Sequence, residues 1–509
     1  MTHPASPDDP RPGTPPPGCP AHSPASATPL YGPEFAADPG AVYARLRAYG
    51  PAAPVRLAPD VDAMLVTSYA AALQVLRGTE TFGKDARRWR ALAEGTVAPD
   101  NPVVPMMAYR PNALFSEGDA HRRLRGAIDD CLRAVDPDAL RGYVEHSADA
   151  LIDAFGPVGE ANLLDDYAKH LPLRVLNQMF GCPADLGDRL YTGMRGIFDG
   201  IDAEKCDALI TEALIELIAL KRRRPGGDMV SRLLAHEARL TDEEMIHQLV
   251  VLMGASTEPQ QNLIANGLRL LLSDGRFAGD LGVGSLPVED ALDEVLWTDP
   301  PMANYGVHYA FHDVELDGVP LREGVPVVVS FAAATTDPAL ATDRRSGNRA
   351  HLAWSAGPHG CPAQREARII ASVALERLLD RLPDLELAVP ADELTWRPGP
   401  FHRALAALPV RFPPVTGVRV PLPAEVPMPE AAPRTTTPRT ALPKEPPTAS
   451  PASPETPGDV PWTSSQARPN PPLTSSTPQA PTSPARPGGS PSAGRRRGWN
   501  FLARWWRGR

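Results

Sequence analysis

The sequence predicts a mainly α fold with a small β region, confined to about residues 31–413 of the 509. Three observations point there. From His121 to Ser273, apolar residues recur at helical spacing in one segment after another. After Leu296 the texture turns to short β runs separated by Asp317-Gly318 and Glu323-Gly324 turns. The 61 prolines, far above the usual share, crowd into the two ends of the chain, so the folded part is smaller than the chain.

Taken in order, residues 1–30 are rich in Pro, Ser and Asp and are expected to be disordered. Pro39 to Ala48 reads as a short amphipathic helix, Pro54 to Val66 as two strands around an Asp-containing turn, and Tyr69 to Leu76 as a helix. Helices are then expected over Leu124–Val135, Leu140–Phe155, Leu164–Phe180, Leu190–Phe198 and Ala208–Lys221. The longest runs from Thr241 to Ser273 and opens on Thr-Asp-Glu-Glu, a capping box in which Thr241 caps and Glu244 reaches back. About 30 helical residues span ~45 Å, enough to cross a domain. Val314–Leu316, Val319–Leu321 and Val325–Phe331 follow as β segments. A helix over Gln364–Leu379 and a terminal β region from Leu385 to Phe412 close the folded part. Residues 414–491 read as a disordered Pro/Ser/Thr-rich linker, and 492–509 as a basic, aromatic tail.

The net charge of −10 conceals an asymmetry. From Pro414 onward there are 12 Lys+Arg against 5 Asp+Glu, a net of +7, which leaves −17 for the rest. An acidic body argues against nucleic acid as a partner. The five cysteines (Cys19, Cys131, Cys182, Cys206, Cys361) are scattered and form no CxxC, so neither a disulfide framework nor a zinc site is indicated. With no basic and apolar leader at the N-terminus and no apolar run of membrane-spanning length, a cytoplasmic protein with reduced thiols is expected.

The stretch from His351 to Cys361 carries the most chemistry. It places Cys361 after a Gly/Pro-rich loop and just ahead of a helix. The unpaired N–H groups of a helix N-terminus favour negative charge, which suits a thiolate acting as a permanent metal ligand. A thiolate axial ligand to haem iron is the best-known use of such an arrangement. The plain alternative is an ordinary buried cysteine after a turn.

Against F-G-x-G-x-H-x-C-x-G, this stretch resembles the haem-binding loop of the cytochromes P450. Gly357, His359 and Cys361 match, while Trp354, Ser355 and Ala363 stand for the Phe, the first Gly and the last Gly. The order of elements also resembles that family from about Tyr31 to Phe412, implying a cytochrome P450 fold and a haem b cofactor with Cys361 on the iron. His121 and Arg125 resemble the family's H-x-x-x-R. Four residues apart, they share a helix face and suit the haem propionates, as His359 does. Seen alone, such a pair reads equally as a solvated basic face.

Three departures qualify the resemblance. In Gly254-Ala-Ser-Thr-Glu258-Pro259-Gln-Gln-Asn262, Glu258 matches the family's proton-relay acid, but Pro259 stands where the family has threonine. A mid-helix proline removes one helical hydrogen bond and kinks the helix. Ser256 is the nearest alternative hydroxyl. In Glu294-Val-Leu-Trp297 the arginine of E-x-x-R is Trp297, and Thr336 to Arg345 lacks a clear P-x-R-F, so the loop partner of that pair reads as lost. Leaving Glu294 buried and unpaired costs several kcal/mol, whereas replacing the whole pair by packed apolar surface is near neutral. The second account is expected. His308 stands for the usual propionate arginine.

The resemblance implies a monooxygenase oxidising a small hydrophobic molecule, with electrons from NAD(P)H through a ferredoxin reductase and a ferredoxin. It also extends to an actinomycete group with Trp in E-x-x-W, encoded beside "conservon" operons of a sensor kinase, a Roadblock-like protein and a small Ras-like GTPase. From that group comes a rival reading, a haem-binding regulatory or scaffold partner without turnover, towards which Pro259 and Trp297 weigh. A form that binds no haem is a third, and the intact loop around Cys361 argues against it. The tail from Gly494 has six Arg, four large aromatics and no acid. That is the composition of a peripheral membrane anchor, with docking to an acidic partner, or no role, as the alternatives.

Overall fold

In the computed structural model the described residues are 27–278, 288–340, 345 and 347–415. The linker and tail expected beyond residue 415 lie outside them, as do residues 1–26. The body is mainly helical with three small sheets, as the hydrophobic periodicity requires. The strands in chain order are β1 (Thr28–Pro29), β2 (Ala52–Ala58), β3 (Val61–Val66), β4 (Phe82–Gly83), β5 (Glu160–Asn162) and β6 (Gly306–Ala310). They continue with β7 (Val314–Leu316), β8 (Val319–Leu321), β9 (Pro326–Val329), β10 (Glu386–Leu387) and β11 (Pro409–Arg411). The largest sheet runs β1-β2-β3-β9-β6-β4; β10-β11-β5 and the hairpin β7-β8 are separate.

Local chemistry sets the element ends. Asp38 accepts from the Ala41 N–H and Pro39 occupies the first turn, so a helix starts at Pro39. Ser68 caps Tyr69–Arg77 in the same way, through the Ala71 N–H. The capping box forms as read: Glu244 N–H donates to Thr241 Oγ1 (3.2 Å), and Thr241 N–H donates to Glu244 Oε2 (2.9 Å). The helix it opens, Asp242–Ser273, runs 32 residues with Pro259 inside it.

Several expectations are corrected. Residues 28–30, read as part of a disordered N-terminus, are folded: β1 pairs parallel with β2, and Leu30 is 0% exposed. Leu164–Phe180 is not one α-helix. It begins as a π-type turn, Leu164–Ala168, and becomes α from His170. There Asp165 and Asp166 accept hydrogen bonds from Asn162, which stabilises the wider turn. The strand expected to reach Phe331 stops at Val329, because Ser330 caps a short helix, Phe331–Thr335. The helix expected from Leu124 starts at Gly118, which brings His121 into its first turn.

The long helix packs against Val288–Thr298 on one side and against Gln364–Arg381, the helix following Cys361, on another. Apolar side chains from these helices, from Gly118–Arg133 and Pro137–Phe155, and from β11 make the largest core. A second core joins Pro39–Leu46 to β2, β3 and the 103–115 segment. The cysteine loop is held between the long-helix core and the end of Tyr69–Arg77.

Candidate active site

The cysteine loop is shaped by its backbone. The Cys361 N–H donates to the Trp354 carbonyl (2.8 Å), the Ser355 N–H to Leu352 (2.7 Å), and the Gly360 N–H to Gly357 (3.1 Å). Two residues take left-handed conformations, Gly357 (φ 69°) and Ser355 (φ 61°), the latter standing where the family pattern has glycine. Gly357 needs more than conformational freedom. A Cβ there would lie 2.3 Å from the Leu76 carbonyl oxygen, so the loop seats directly on the end of Tyr69–Arg77.

The same loop meets the start of Gly118–Arg133. The His121 and His359 rings lie 4.2 Å apart, and Arg125 Nη1 donates to the Pro358 carbonyl (3.2 Å) while its Nε donates to Asp129 (2.8 Å). The four-residue spacing does place both side chains on the loop. His308 is buried on β6, bonded through Nδ1 to the Gly306 carbonyl (2.9 Å). One residue of this cluster was missed in the sequence. Lys84 is buried, its ammonium donating to the Val307 carbonyl (3.1 Å). Its only sequence signal is a lysine directly after a β4 that is itself two residues long.

Burial, then repulsion between neighbouring cations, governs the electrostatics of this cluster. Burial pushes His359 down to about 2, with Lys84, His121, His308 and Arg125 adding to the effect. Burial, then Lys84, hold His308 well below its ordinary value. Burial, then Arg125, lower His121, whose Nε2 is buried without a hydrogen-bond partner. Lys84 is itself pushed down to about 8 by burial, with Glu117 opposing. Five donors crowd together, with Asp129 on Arg125 and Glu117 near Lys84 as the acids beside them, and such a set of donors suits carboxylates.

The Cys361 thiol departs from expectation. Burial raises its pKa, outweighing the Ala363 N–H at the helix start and the Arg125 charge. A thiolate there needs a cation on the sulfur itself. Among the described residues no three His, Cys, Asp or Glu side chains converge as a metal-ligand set. A lone thiolate beside a carboxylate-binding cluster fits a haem.

On the long helix, Ala255 is exposed and Val251, Leu252, Ser256 and Pro259 are part-exposed, although residues 260–268 that follow are all buried. Mid-helix exposure in the interior means that this face borders open space. Gln260 Nε2 donates to the Ala367 carbonyl (3.0 Å), fixing the face beside the helix that follows the cysteine. Ser256 Oγ donates to the Leu252 carbonyl (2.5 Å), so its proton is engaged by its own helix. Glu258 is buried and paired with Arg397, a residue the sequence reading did not single out.

The expectation at Trp297 is half corrected. The indole is buried and well seated: Nε1 donates to the Asn348 carbonyl (2.7 Å), and the ring meets His351 edge-on. The loop partner of Glu294, however, is not lost. Arg345 Nη1 lies 3.3 Å and Arg276 Nη2 3.4 Å from Glu294 Oε1. The neighbouring Asp293, also buried, takes Arg368 (2.5 Å) and Arg349 (3.4 Å). These arginines escaped the sequence reading because they follow no P-x-R-F spacing.

No protein-family model matches the chain. Curated relatives do. The cytochrome P450 monooxygenase PikC of Streptomyces venezuelae is 34% identical over 402 residues, covering 75% of this chain and 92% of that protein. The 2-hydroxy-5-methyl-1-naphthoate 7-hydroxylase of Streptomyces carzinostaticus is 30% identical over 393 residues, covering 74% and 95%. Among solved structures, CYP154A1 from Streptomyces coelicolor A3(2) superposes with a TM-score of 0.69 at 30% identity, covering 76% of this chain and all of that one. The fold and these likenesses define a haem-thiolate protein. The chain belongs to the cytochrome P450 superfamily, and its cofactor is haem b.

Proposed function

We propose that this protein is a monooxygenase that oxidises a small hydrophobic molecule, drawing electrons from NAD(P)H through a ferredoxin reductase and a ferredoxin. Cys361 is the iron ligand, and Lys84, His121, Arg125, His308 and His359 hold the haem carboxylates. The observation that carries the reading is the buried donor cluster around the cysteine loop, where the His121 and His359 rings lie 4.2 Å apart and Lys84 is buried. The bound haem supplies oxygen activation and one-electron chemistry. The chain's own residues position it and handle protons: Glu258 carries a proton on its carboxylate, and Pro259 offers no hydroxyl beside it. The relatives' names support monooxygenase chemistry, and that of the 2-hydroxy-5-methyl-1-naphthoate 7-hydroxylase supports a small aromatic substrate.

A second reading, a haem-binding regulatory partner in a GTPase-linked complex with little turnover, is favoured by Pro259 and Trp297. The tail adds a peripheral contact with the inner membrane face. The spectrum of the reduced protein with CO tests the main assignment. It is expected to show the red-shifted Soret band of a thiolate-ligated haem, and Cys361→Ser to abolish that band. Protein supplied with haem during expression but purified without any would overturn the assignment.

A further inference from the structure

A cavity of about 440 Å³ lies between helices Pro33–Ala37 and Pro39–Leu46 and the segment 397–404. Its other walls are Thr298 and Asp299, at the end of helix Val288–Thr298, and Ala332 and Thr336, on and just after helix Phe331–Thr335. Among the described residues, none around Cys361 and none on the long helix lines it. The volume suits an organic molecule rather than a single ion. Part of the wall is apolar. Phe35, Ala36, Tyr43, Ala303 and Ala404 are all buried, and the Tyr43 hydroxyl is spent on Asn304 (3.1 Å).

The polar part is unevenly matched. Arg397 is paired with Glu258 and Asp199, and Arg403 Nε donates to Asp299 (2.9 Å), which Arg269 also reaches (2.9 Å). Asp38, the other acid on the wall, accepts from the Ala41 N–H (2.9 Å). Arg47 has no such counterpart. Its Nη2 donates to two neutral oxygens, the Ala333 carbonyl (2.7 Å) and the Thr336 hydroxyl (3.1 Å), while its Nε is buried with no hydrogen-bond partner. Among the described residues no carboxylate pairs with it, and burial lowers its pKa, with Asp337 opposing. His402 is 7% exposed, its Nε2 is likewise unpartnered, and burial pushes it down to about 4, so the ring is uncharged at neutral pH. Buried polar groups of this kind cost free energy until a ligand meets them.

We propose that this cavity binds a small organic carboxylate, its anionic end on the Arg47 guanidinium and its body against the apolar wall, at a site separate from the one beside Cys361. A carboxylate is the planar, two-oxygen partner that a guanidinium takes best. An inorganic anion would meet Arg47 but leave the apolar wall and most of the volume unused. A neutral molecule would leave the charge unmet. His402 offers the bound molecule a second polar contact.

The test uses full-length holoprotein and two radiolabelled probes, benzoate and hexanoate, in equilibrium dialysis. Saturating imidazole, followed through the Soret band, occupies the iron side throughout. At least one probe is expected to bind under those conditions without moving the Soret band, with unlabelled benzamide and inorganic phosphate competing poorly. Arg47→Gln should weaken it about tenfold, the low end of what a hydrogen bond to a charged group contributes, and Arg47→Lys should keep part of the affinity. If Arg47→Gln does not hold haem, His402→Leu takes its place. That change removes an unpartnered polar ring from the interior, so the variant is expected to fold and to bind several-fold more weakly. Native affinity in Arg47→Gln, or in His402→Leu where it stands in, would overturn the proposal. So would binding of neither probe, or binding that imidazole abolishes, which would place the carboxylate beside the iron. Equal competition by benzamide or by phosphate would overturn it too, by showing that the cavity does not read a charge and an apolar body together.

Discussion

Trp297 sits where the family keeps an arginine, yet its surroundings suit an indole. The side chain is 1% exposed, its N–H is satisfied by Asn348, and the Thr335 hydroxyl donates to its carbonyl (2.8 Å). Trp297→Phe removes one hydrogen bond and leaves the part-buried Asn348 carbonyl short of a donor, a loss of about 1 kcal/mol. Trp297→Ala opens a cavity and costs about 3–5 kcal/mol. Trp297→Arg places a cation beside His351 and competes with Arg345 for Glu294, so thermal unfolding should come earlier and haem content should fall. A rise in either would show that the tryptophan is damage. At Pro259, threonine would restore both an N–H for the helix and the missing hydroxyl. Pro259→Thr should therefore lower the share of NADH recovered as hydrogen peroxide. Residues with chemistry written into their spacing, such as Cys361, His359, His121 and Arg125, were legible in the sequence. Lys84, Arg345 and Arg397 were not, because a single cation in a loop carries no spacing and only the fold brings it to its partner.

The cysteine loop separates two kinds of left-handed residue. Ser355 takes its φ of 61° with a Cβ, a strain of about 1–2 kcal/mol that glycine would not carry. Glycine's extra freedom in the unfolded chain offsets roughly half of that, so Ser355→Gly should stabilise by less than about 1 kcal/mol. Gly357→Ala meets the same backbone strain and also drives a Cβ against the Leu76 carbonyl, which is backbone and cannot rotate away. It should cost about 1–3 kcal/mol or more, and the rate of haem loss to apomyoglobin should rise with it. Equal behaviour of the two variants would mean that the loop's seat on Tyr69–Arg77 is not what fixes it. Among elements, long amphipathic helices and the capping box were legible because their signals repeat every turn. β6 was missed because five residues around Gly306 give no alternation to read, although it carries His308 and pairs with β9. Its place comes from the strands beside it.

At the scale of the whole molecule, buried histidines set the response to acid. Burial pushes His247, His351 and His402 each down to about 4, from an ordinary value of 6.5. Between those values the unfolded chain binds more protons than the folded one. Stability therefore rises with pH across that window and is lost as pH falls through it, by up to about 1.4 kcal/mol per pH unit for each histidine. Thermal unfolding of the protein from pH 7 to pH 4.5 should show a progressive drop, flattened in a variant with His351 and His402 both replaced by Gln. An unchanged slope would mean that these rings are not held neutral. The chain ends follow a different logic, since composition alone speaks for them. Residues 495–509 join six arginines to four large aromatics with no acid, at the end of a long Pro/Ser/Thr-rich stretch. Each arginine near an anionic surface contributes about 1 kcal/mol, less as salt rises, and Trp and Phe sit well at headgroup depth. The body is net acidic and is repelled by the same surface, so any attraction must come from this end. Full-length protein should co-sediment with phosphatidylserine-containing vesicles at low salt, while a chain ending at Pro491 stays in the supernatant. Raising the salt should release the full-length protein, and vesicles of neutral lipid should capture little of it. Equal partition of the two chains would remove membrane contact from the tail and leave docking to an acidic protein as the role its charge supports.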